Sequence, residues 1–282
     1  MEIEFLDLDE NRFRLIVKGV EASFLNSIRR IILSEVPCMA IDDVIILENS
    51  SVMNDEILSH RLGLIPIKTD LDAYNLPEEC SCGSEFGCPL CRASFTLDVG
   101  SEEGIRVVYS GDLVPENPDI APVNDRVPIV KLSSGQRIRL EAYARLGKGK
   151  KHAKWQPVSL CVYKNLPHIK IDEELCDGCG ECVEVCPEKV LYMDGDSVKI
   201  RNSEECGLCL DCVKACGKDP KAIEVTYDKN AFIFALESTG VLPLERIFLE
   251  AIKIFDEKAE DFIESLKEVE GLGESESVEA SS

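Results

Sequence analysis

Two cysteine runs of identical spacing constrain this chain more than any other feature. Cys176, Cys179, Cys182 and Cys186 read C-x2-C-x2-C-x3-C, and Cys206, Cys209, Cys212 and Cys216 repeat it. In this spacing the first three thiolates wrap one iron–sulfur cluster, and the fourth reaches the other cluster. The expected ligands of one [4Fe–4S] cluster are therefore Cys176, Cys179, Cys182 and Cys216. Those of the second are Cys206, Cys209, Cys212 and Cys186. Zinc knuckles would use paired C-x2-C units instead. Gly178, Gly180 and Gly207 are expected to let the backbone close round the inorganic cores. Between the runs, apolar alternation on both sides of Asp194-Gly195-Asp196 predicts a β-hairpin, and Ala222–Thr226 predicts a strand. From Pro167 to Tyr227 there are 14 acids against 7 Lys and Arg, so the segment is acidic before any cluster is added.

The rest of the chain bounds the context. Its 282 residues suggest about two domains. A net charge of −22 argues against a free-standing nucleic-acid binder, because neutralising phosphates needs clustered cations. There is no apolar run long enough to span a membrane. Acids at Glu2 and Glu4 stand where a signal peptide carries bases, so a cytoplasmic, reducing setting is expected. Of the 14 cysteines, Cys38 and Cys161 each stand alone in apolar surroundings and read as buried free thiols. Cys80, Cys82, Cys88 and Cys91 form C-x-C-x5-C-x2-C in a Gly-rich loop. That is a tetrathiolate set, most simply for structural Zn²⁺, with a disulfide pair or a third cluster as alternatives.

Substantial folded sequence flanks the iron–sulfur segment, which makes it an insertion. Phe5 to Val17 alternates loosely as a strand that Gly19 ends. Ser23 to Val36 is a helix with Ser23 as N-cap and Pro37 as its stop; Phe24, Ile28, Ile31 and Ile32 share one face. Ala231–Leu236 is a strand, and a long helix runs from Pro243 to about Val269. Its stripe (Leu244, Ile247, Phe248, Ala251, Ile252, Phe255, Ala259, Phe262, Ile263, Leu266) suits either a partner helix or the chain's own core. Residues 269–282 read as a disordered acidic tail. The loop 145–155, from Arg145 to Trp155, is basic and Gly-rich and holds the only Trp. It suits nucleic acid or an acidic protein surface, or is simply a solvated loop, and it is no P-loop. His60 and His168 stand alone and read as ordinary histidines. No catalytic constellation is recognisable.

Four flanking motifs carry a resemblance. Asn26–Pro37 looks like the dimerisation helix of the RNA polymerase α-subunit family, and His60–Ile67 is similar to its second motif. Gly147–Val158 resembles the archaeal and eukaryotic form of its basic loop, and Glu237–Pro243 its C-terminal dimerisation segment. With a ferredoxin insertion, the chain resembles the archaeal branch of that family over residues 1 to about 265.

The resemblance implies an α+β fold. A discontinuous dimerisation domain (1-41, 156-166 and 228-268) would carry two inserts. One is a mixed α/β domain at 42-155 with the Cys-rich loop 80-91; the other is the ferredoxin-like 2×[4Fe–4S] domain at 167-227. It also implies heterodimerisation with subunit L through Phe24, Ile28, Ile31, Ile32, Ile247, Phe248, Ile252 and Phe255. Subunit N and the second-largest catalytic subunit would dock nearby, the latter touching Arg29 or Arg30. DNA would be met only through the complex. The implied function is a polymerase assembly platform with no active site of its own. The alternative is a ferredoxin-type electron carrier fused to a binding domain. A third reading joins them, with cluster integrity gating assembly.

Overall fold

The alternation of β-branched and aromatic residues with turn residues builds a chain that is mostly sheet. A computed structural model describes residues 1–84 and 87–279, with side chains through Lys267. In chain order the elements are β1 (Glu2–Leu8), β2 (Arg12–Lys18), α1 (Ala22–Ser34), β3 (Pro37–Asn49), α2 (Asp55–Gly63), β4 (Ala93–Gly100), β5 (Arg106–Tyr109), β6 (Val114–Pro115), β7 (Pro128–Leu132) and β8 (Arg137–Lys148). There follow β9 (Val158–Ile171), α3 (Glu181–Glu184), β10 (Leu191–Asp194), β11 (Ser197–Ile200), α4 (Asp211–Ala215), β12 (Ile223–Ser238) and α5 (Leu244–Glu279). No described helix is long and apolar enough to cross a membrane.

Two compact units emerge. The first gathers Met1–Leu8, Phe13–Leu25 and Val162–Ala235, and the second gathers Asp9–Arg12, Asn26–Cys161 and the chain from Leu236 on. This division cuts across the three domains expected from sequence. The expected edges at 166/167 and 227/228 fall inside β9 and β12, which are single long strands. Charged and polar residues such as Lys164, Asn165 and Asp228 hid that continuity from a reading by hydropathy.

In the first unit a sheet runs in the order β1-β2-β12-β9, beside the hairpin β10-β11. The single strand expected over Phe5–Val17 is two strands, paired from Glu2↔Lys18 to Leu8↔Phe13. The acidic turn after Leu8 breaks it. The hairpin at Asp194–Ser197 forms as expected.

The second unit holds a sheet in the order β3-β8-β4-β6 and a small sheet β5-β7. Strict alternation buries Phe95, Leu97 and Val99 of β4 against Ala142, Leu140 and Ile138 of β8. These join Leu58 and Leu62 of α2 in a core of 23 buried residues. A bulge in β3 between Ile41 and Asp43 leaves Asp42 outside the register.

The helices depart from expectation in detail. α1 begins one residue before Ser23, so Ser23 lies in the first turn, where its hydroxyl donates to the Glu21 carboxylate at 3.2 Å. At α5 the Ile247 N–H bonds the Pro243 carbonyl at 3.1 Å, which opens the helix at the expected place. The helix continues to Glu279, where a disordered tail was expected from residue 269. Extending an existing helix is far easier than nucleating one, so Gly271 and Gly273 do not end it. Residues 280–282 lie outside the described residues.

Candidate metal centres

The chain's most unusual chemistry sits in the first unit. Cys176, Cys179, Cys182 and Cys216 line one cavity of about 140 Å³, walled by Ile171, Val198 and Ile223. That is roughly ten times the space one water needs, so it suits a multi-atom core. Burial pushes the Cys182 thiol up, and the charges of Cys176, Cys179 and Cys216 push the same way. Burial likewise raises Cys212 to about 11, with Cys206, Cys186 and Cys209 adding to it. Cys216, the fourth cysteine of the second run, is thus brought to the first run's loop. Thiols raised in this way deprotonate only when a metal offsets the charge. Iron–sulfur cores supply that offset, and the donor set fits them.

The two loops are built differently. In the first, Gly178 (φ +70) and Gly180 (φ +78) take left-handed conformations. A Cβ on Gly178 would lie 2.0 Å from the Asp196 carbonyl oxygen, so only glycine lets the loop close on the hairpin. The expectation for Gly207 fails, because it is not left-handed and nothing crowds it. Its neighbours Leu208 (φ +57) and Leu210 (φ +64) are left-handed instead. A left-handed conformation costs a side-chain-bearing residue about 1–2 kcal/mol. The second loop is also tied to strands of the same unit. The Lys164 ammonium donates to the Cys206 carbonyl at 3.0 Å, and Arg14 pairs with Glu205 at 2.5 Å.

The second unit holds the other thiol set. The sulfurs of Cys80, Cys82, Cys88 and Cys91 all lie within 4.8 Å of one another, the single group among the described residues to close so tightly. Three separations are 3.7 Å (Cys80–Cys88), 3.8 Å (Cys82–Cys91) and 3.8 Å (Cys88–Cys91). A tetrahedral zinc with Zn–S bonds of about 2.3 Å spaces its sulfurs about 3.8 Å apart. A disulfide needs about 2.05 Å, and an iron–sulfur core needs more room. The set therefore fits one tetrahedral ion. The Ser84 N–H brings the Cys82 thiol down to about 7, so it ionises readily, while burial pushes Cys91 up to about 12. Cys38 and Cys161 are buried free thiols, both raised to about 12 by burial.

Two family models match the chain. Residues 42–177 match the family model of the RNA polymerase Rpb3/RpoA insert domain, and residues 168–217 match that of the 4Fe-4S dicluster domain. A relative from Archaeoglobus fulgidus named DNA-directed RNA polymerase subunit Rpo3 is 45% identical, over 95% of this chain and 99% of its own. Relatives of the same name from Methanosphaera stadtmanae and Pyrobaculum islandicum are 44% and 40% identical, covering 96% and 92% of this chain and 100% and 92% of their own. The chain belongs to the Rpo3 family of archaeal DNA-directed RNA polymerase subunits.

The motif residues have definite places in the chain. The basic loop is largely consumed by its own unit. Lys154 and Arg145 both pair with Asp42, and Lys154 also donates to the Ile41 carbonyl at 3.1 Å. Burial alone would raise the Asp42 carboxyl, but the two cations outweigh it and hold it low. Trp155 is only 3% exposed, with Lys154 at 4.3 Å over its ring, so it cannot stack on a base. Lys150 pairs with Glu35 at 3.3 Å and Lys151 with Glu78 at 3.7 Å. The glycines follow from packing. A Cβ on Gly147 would lie 2.4 Å from the Trp155 ring, and one on Gly149 lies 2.1 Å from the Leu33 carbonyl. Asp42 had no signal in the sequence, because only the β-bulge turns it toward the loop.

Asp42→Asn is expected to destabilise the second unit by about 2 kcal/mol. It leaves the Lys154 ammonium, whose side chain is 13% exposed, without its counter-charge. A urea titration followed by Trp155 fluorescence reads this as a lower midpoint at unchanged slope. An unmoved midpoint would refute it.

The expected interface residues divide. Ile28, Ile31, Ile32 and Ile247 are buried in the chain itself, whereas Phe24, Arg30 and Ile252 are exposed and Phe248 and Phe255 are half-buried. Periodicity marks a buried stripe but does not say who buries it, so the partner surface drawn from sequence was too wide. Arg29 donates to the Cys161 carbonyl at 3.0 Å and to Asn26 at 3.3 Å, so it is held within the chain. Arg30 instead lines a groove in the second unit with Ile31 and Ser34 of α1, Glu35 just after it, and Phe255, Ala259 and Phe262 of α5. Lys258 bridges the groove to Glu35 at 3.2 Å. Burial would raise that carboxyl, but Lys258 and Lys150 hold it low.

Proposed function

We propose that the chain is a non-catalytic assembly platform of DNA-directed RNA polymerase. It pairs with subunit L through the α1–α5 groove and docks subunit N and the second-largest catalytic subunit, with Arg30 the cation offered to the latter. It meets DNA only through the complex and works in the cytoplasm. Two [4Fe–4S] clusters, on Cys176, Cys179, Cys182 and Cys216 and on Cys206, Cys209, Cys212 and Cys186, stabilise the first unit. One Zn²⁺ on Cys80, Cys82, Cys88 and Cys91 stabilises the Cys-rich loop of the second.

The observation that carries this reading is the uncovered length of α5. Its first turns bury Leu244, Ile247 and Ala251, but Phe262, Ile263 and Leu266 are 65%, 50% and 49% exposed on the same stripe. A long apolar face of this kind marks an interaction site, and the helix-in-groove geometry suits an amphipathic partner helix. The small cysteine-lined core of the first unit favours a structural role for the clusters over that of a carrier, because ligation energy there is folding energy.

The test is anaerobic co-expression with subunit L, with iron, sulfide and zinc counted on the purified heterodimer. Phe262→Glu with Ile263→Glu is expected to weaken the pairing by at least about a hundredfold, since buried aromatic anchors carry about 2 kcal/mol or more each. Retention of unchanged affinity by this double variant overturns the proposed interface.

A further inference from the structure

We infer that the second cluster site, on Cys206, Cys209, Cys212 and Cys186, is the labile one, and that Leu208 and Leu210 make it so. The inference rests on the two-cluster reading above and uses the internal repeat as its own control. The two loops have the same spacing and the same backbone. Residues two and four places after the first cysteine are left-handed in both: Gly178 and Gly180 in one, Leu208 and Leu210 in the other. Glycine adopts that conformation freely, whereas leucine is held there only by its surroundings.

Burial does not do the holding. Leu208 is half-buried, Leu210 is 43% exposed, and Cys209 between them is exposed. The backbone holds the far end of the stretch, where the Leu210 carbonyl accepts from the Lys214 N–H at 3.1 Å in α4. The first loop closes on the hairpin through Gly178, whose counterpart in the second run is Leu208. Lys164 and Arg14 grip Cys206 and Glu205 at the start of the second loop, which leaves Leu208 between its two anchored ends. The bonds from iron to Cys206, Cys209 and Cys212 are what keep the leucines left-handed. As those bonds loosen, the loop relaxes away from the ligating geometry and recapture of iron becomes slow. The first site has no such strain to release.

The experiment uses the full chain in its anaerobic heterodimer. Iron and sulfide are counted first, and a chain holding a single cluster defeats the two-cluster reading without touching the strain argument. An excess of ferrous chelator then draws iron off while the visible absorbance is followed, and thiols freed at each time are alkylated and located by mass spectrometry. Two phases are expected, with Cys206, Cys209 and Cys212 labelled in the fast one and Cys176, Cys179 and Cys182 in the slow one. In Leu208→Gly/Leu210→Gly the fast phase slows by about tenfold and approaches the slow phase. Leu208→Asn/Leu210→Asn behaves alike, because asparagine tolerates the left-handed region with less chain freedom than glycine. First labelling at Cys176–Cys182, or a fast phase unchanged in both double variants, overturns the inference.

Discussion

Stripping iron from the eight-cysteine segment unfolds the β10–β11 hairpin and the short helices α3 and α4 while the core of the second unit stays intact. The expectation follows from what lies inside. The segment's core has ten buried residues, and five of them are Cys182, Cys186, Cys206, Cys212 and Cys216. The others are Val190, Leu191, Val198, Ala222 and Ile223. Removing the clusters leaves a cavity lined by thiols and five modest apolar side chains, too little to hold a segment of this length. The main core cluster of the second unit gathers 23 buried residues, none of them a cysteine. Hydrogen exchange read by mass spectrometry distinguishes the two. Amides of Leu191–Ile200 lose protection by at least a factor of about a hundred in the iron-free chain, a loss of roughly 3 kcal/mol. Amides of β4 and β8 do not change. A hairpin still protected without iron would show that the clusters are not the core, and a carrier role would then regain ground.

Gly149→Ala is the substitution expected to damage the second unit most for its size. Its Cβ would stand 2.1 Å from the Leu33 carbonyl oxygen and 3.0 Å from the Gln156 side chain. Neither the loop nor the helix can step aside easily, because the Lys150 N–H bonds the Ser34 carbonyl at 2.9 Å next door. One added methyl group therefore displaces the end of α1 or breaks that bond. Overpacking of this kind costs about 3 kcal/mol, which lowers the melting temperature of a unit this size by roughly 6–12 °C. Lys151→Ala, a neighbour whose side chain is 66% exposed, is the matched control and leaves the melt unchanged. A normal melt for Gly149→Ala would mean that the loop is not pinned to α1.

These expectations turn on features that differ in how openly the sequence carries them. The cysteine sets were legible because their spacing is a covalent constraint, and Cys176, Cys179, Cys182 and Cys216 line one cavity. The hairpin at Asp194–Ser197 was legible because its turn is local. Properties set by distant parts of the chain were hidden. Gly147 and Gly149 read only as part of a Gly-rich basic loop, yet each is fixed by an atom that folding brings close. Arg145 and Lys154 looked like free charge until a bulge in β3 delivered Asp42 to them. The stripe of α1 gave the apolar face correctly, but which members face the chain and which a partner depends on packing that no period records. The left-handed leucines were invisible, because glycine in the first run suggested glycine's role for Gly207 in the second, one residue out of place.

The chain has one tryptophan, and it lies buried in the second unit beneath the Lys154 ammonium. The iron–sulfur colour would belong wholly to the first. Each unit therefore carries its own optical reporter, ultraviolet emission for one and visible absorption for the other, with no label added. A single heated or chelated sample can be watched in both channels at once. Whether the two transitions coincide measures directly how far loss of iron in one unit is felt by the fold of the other.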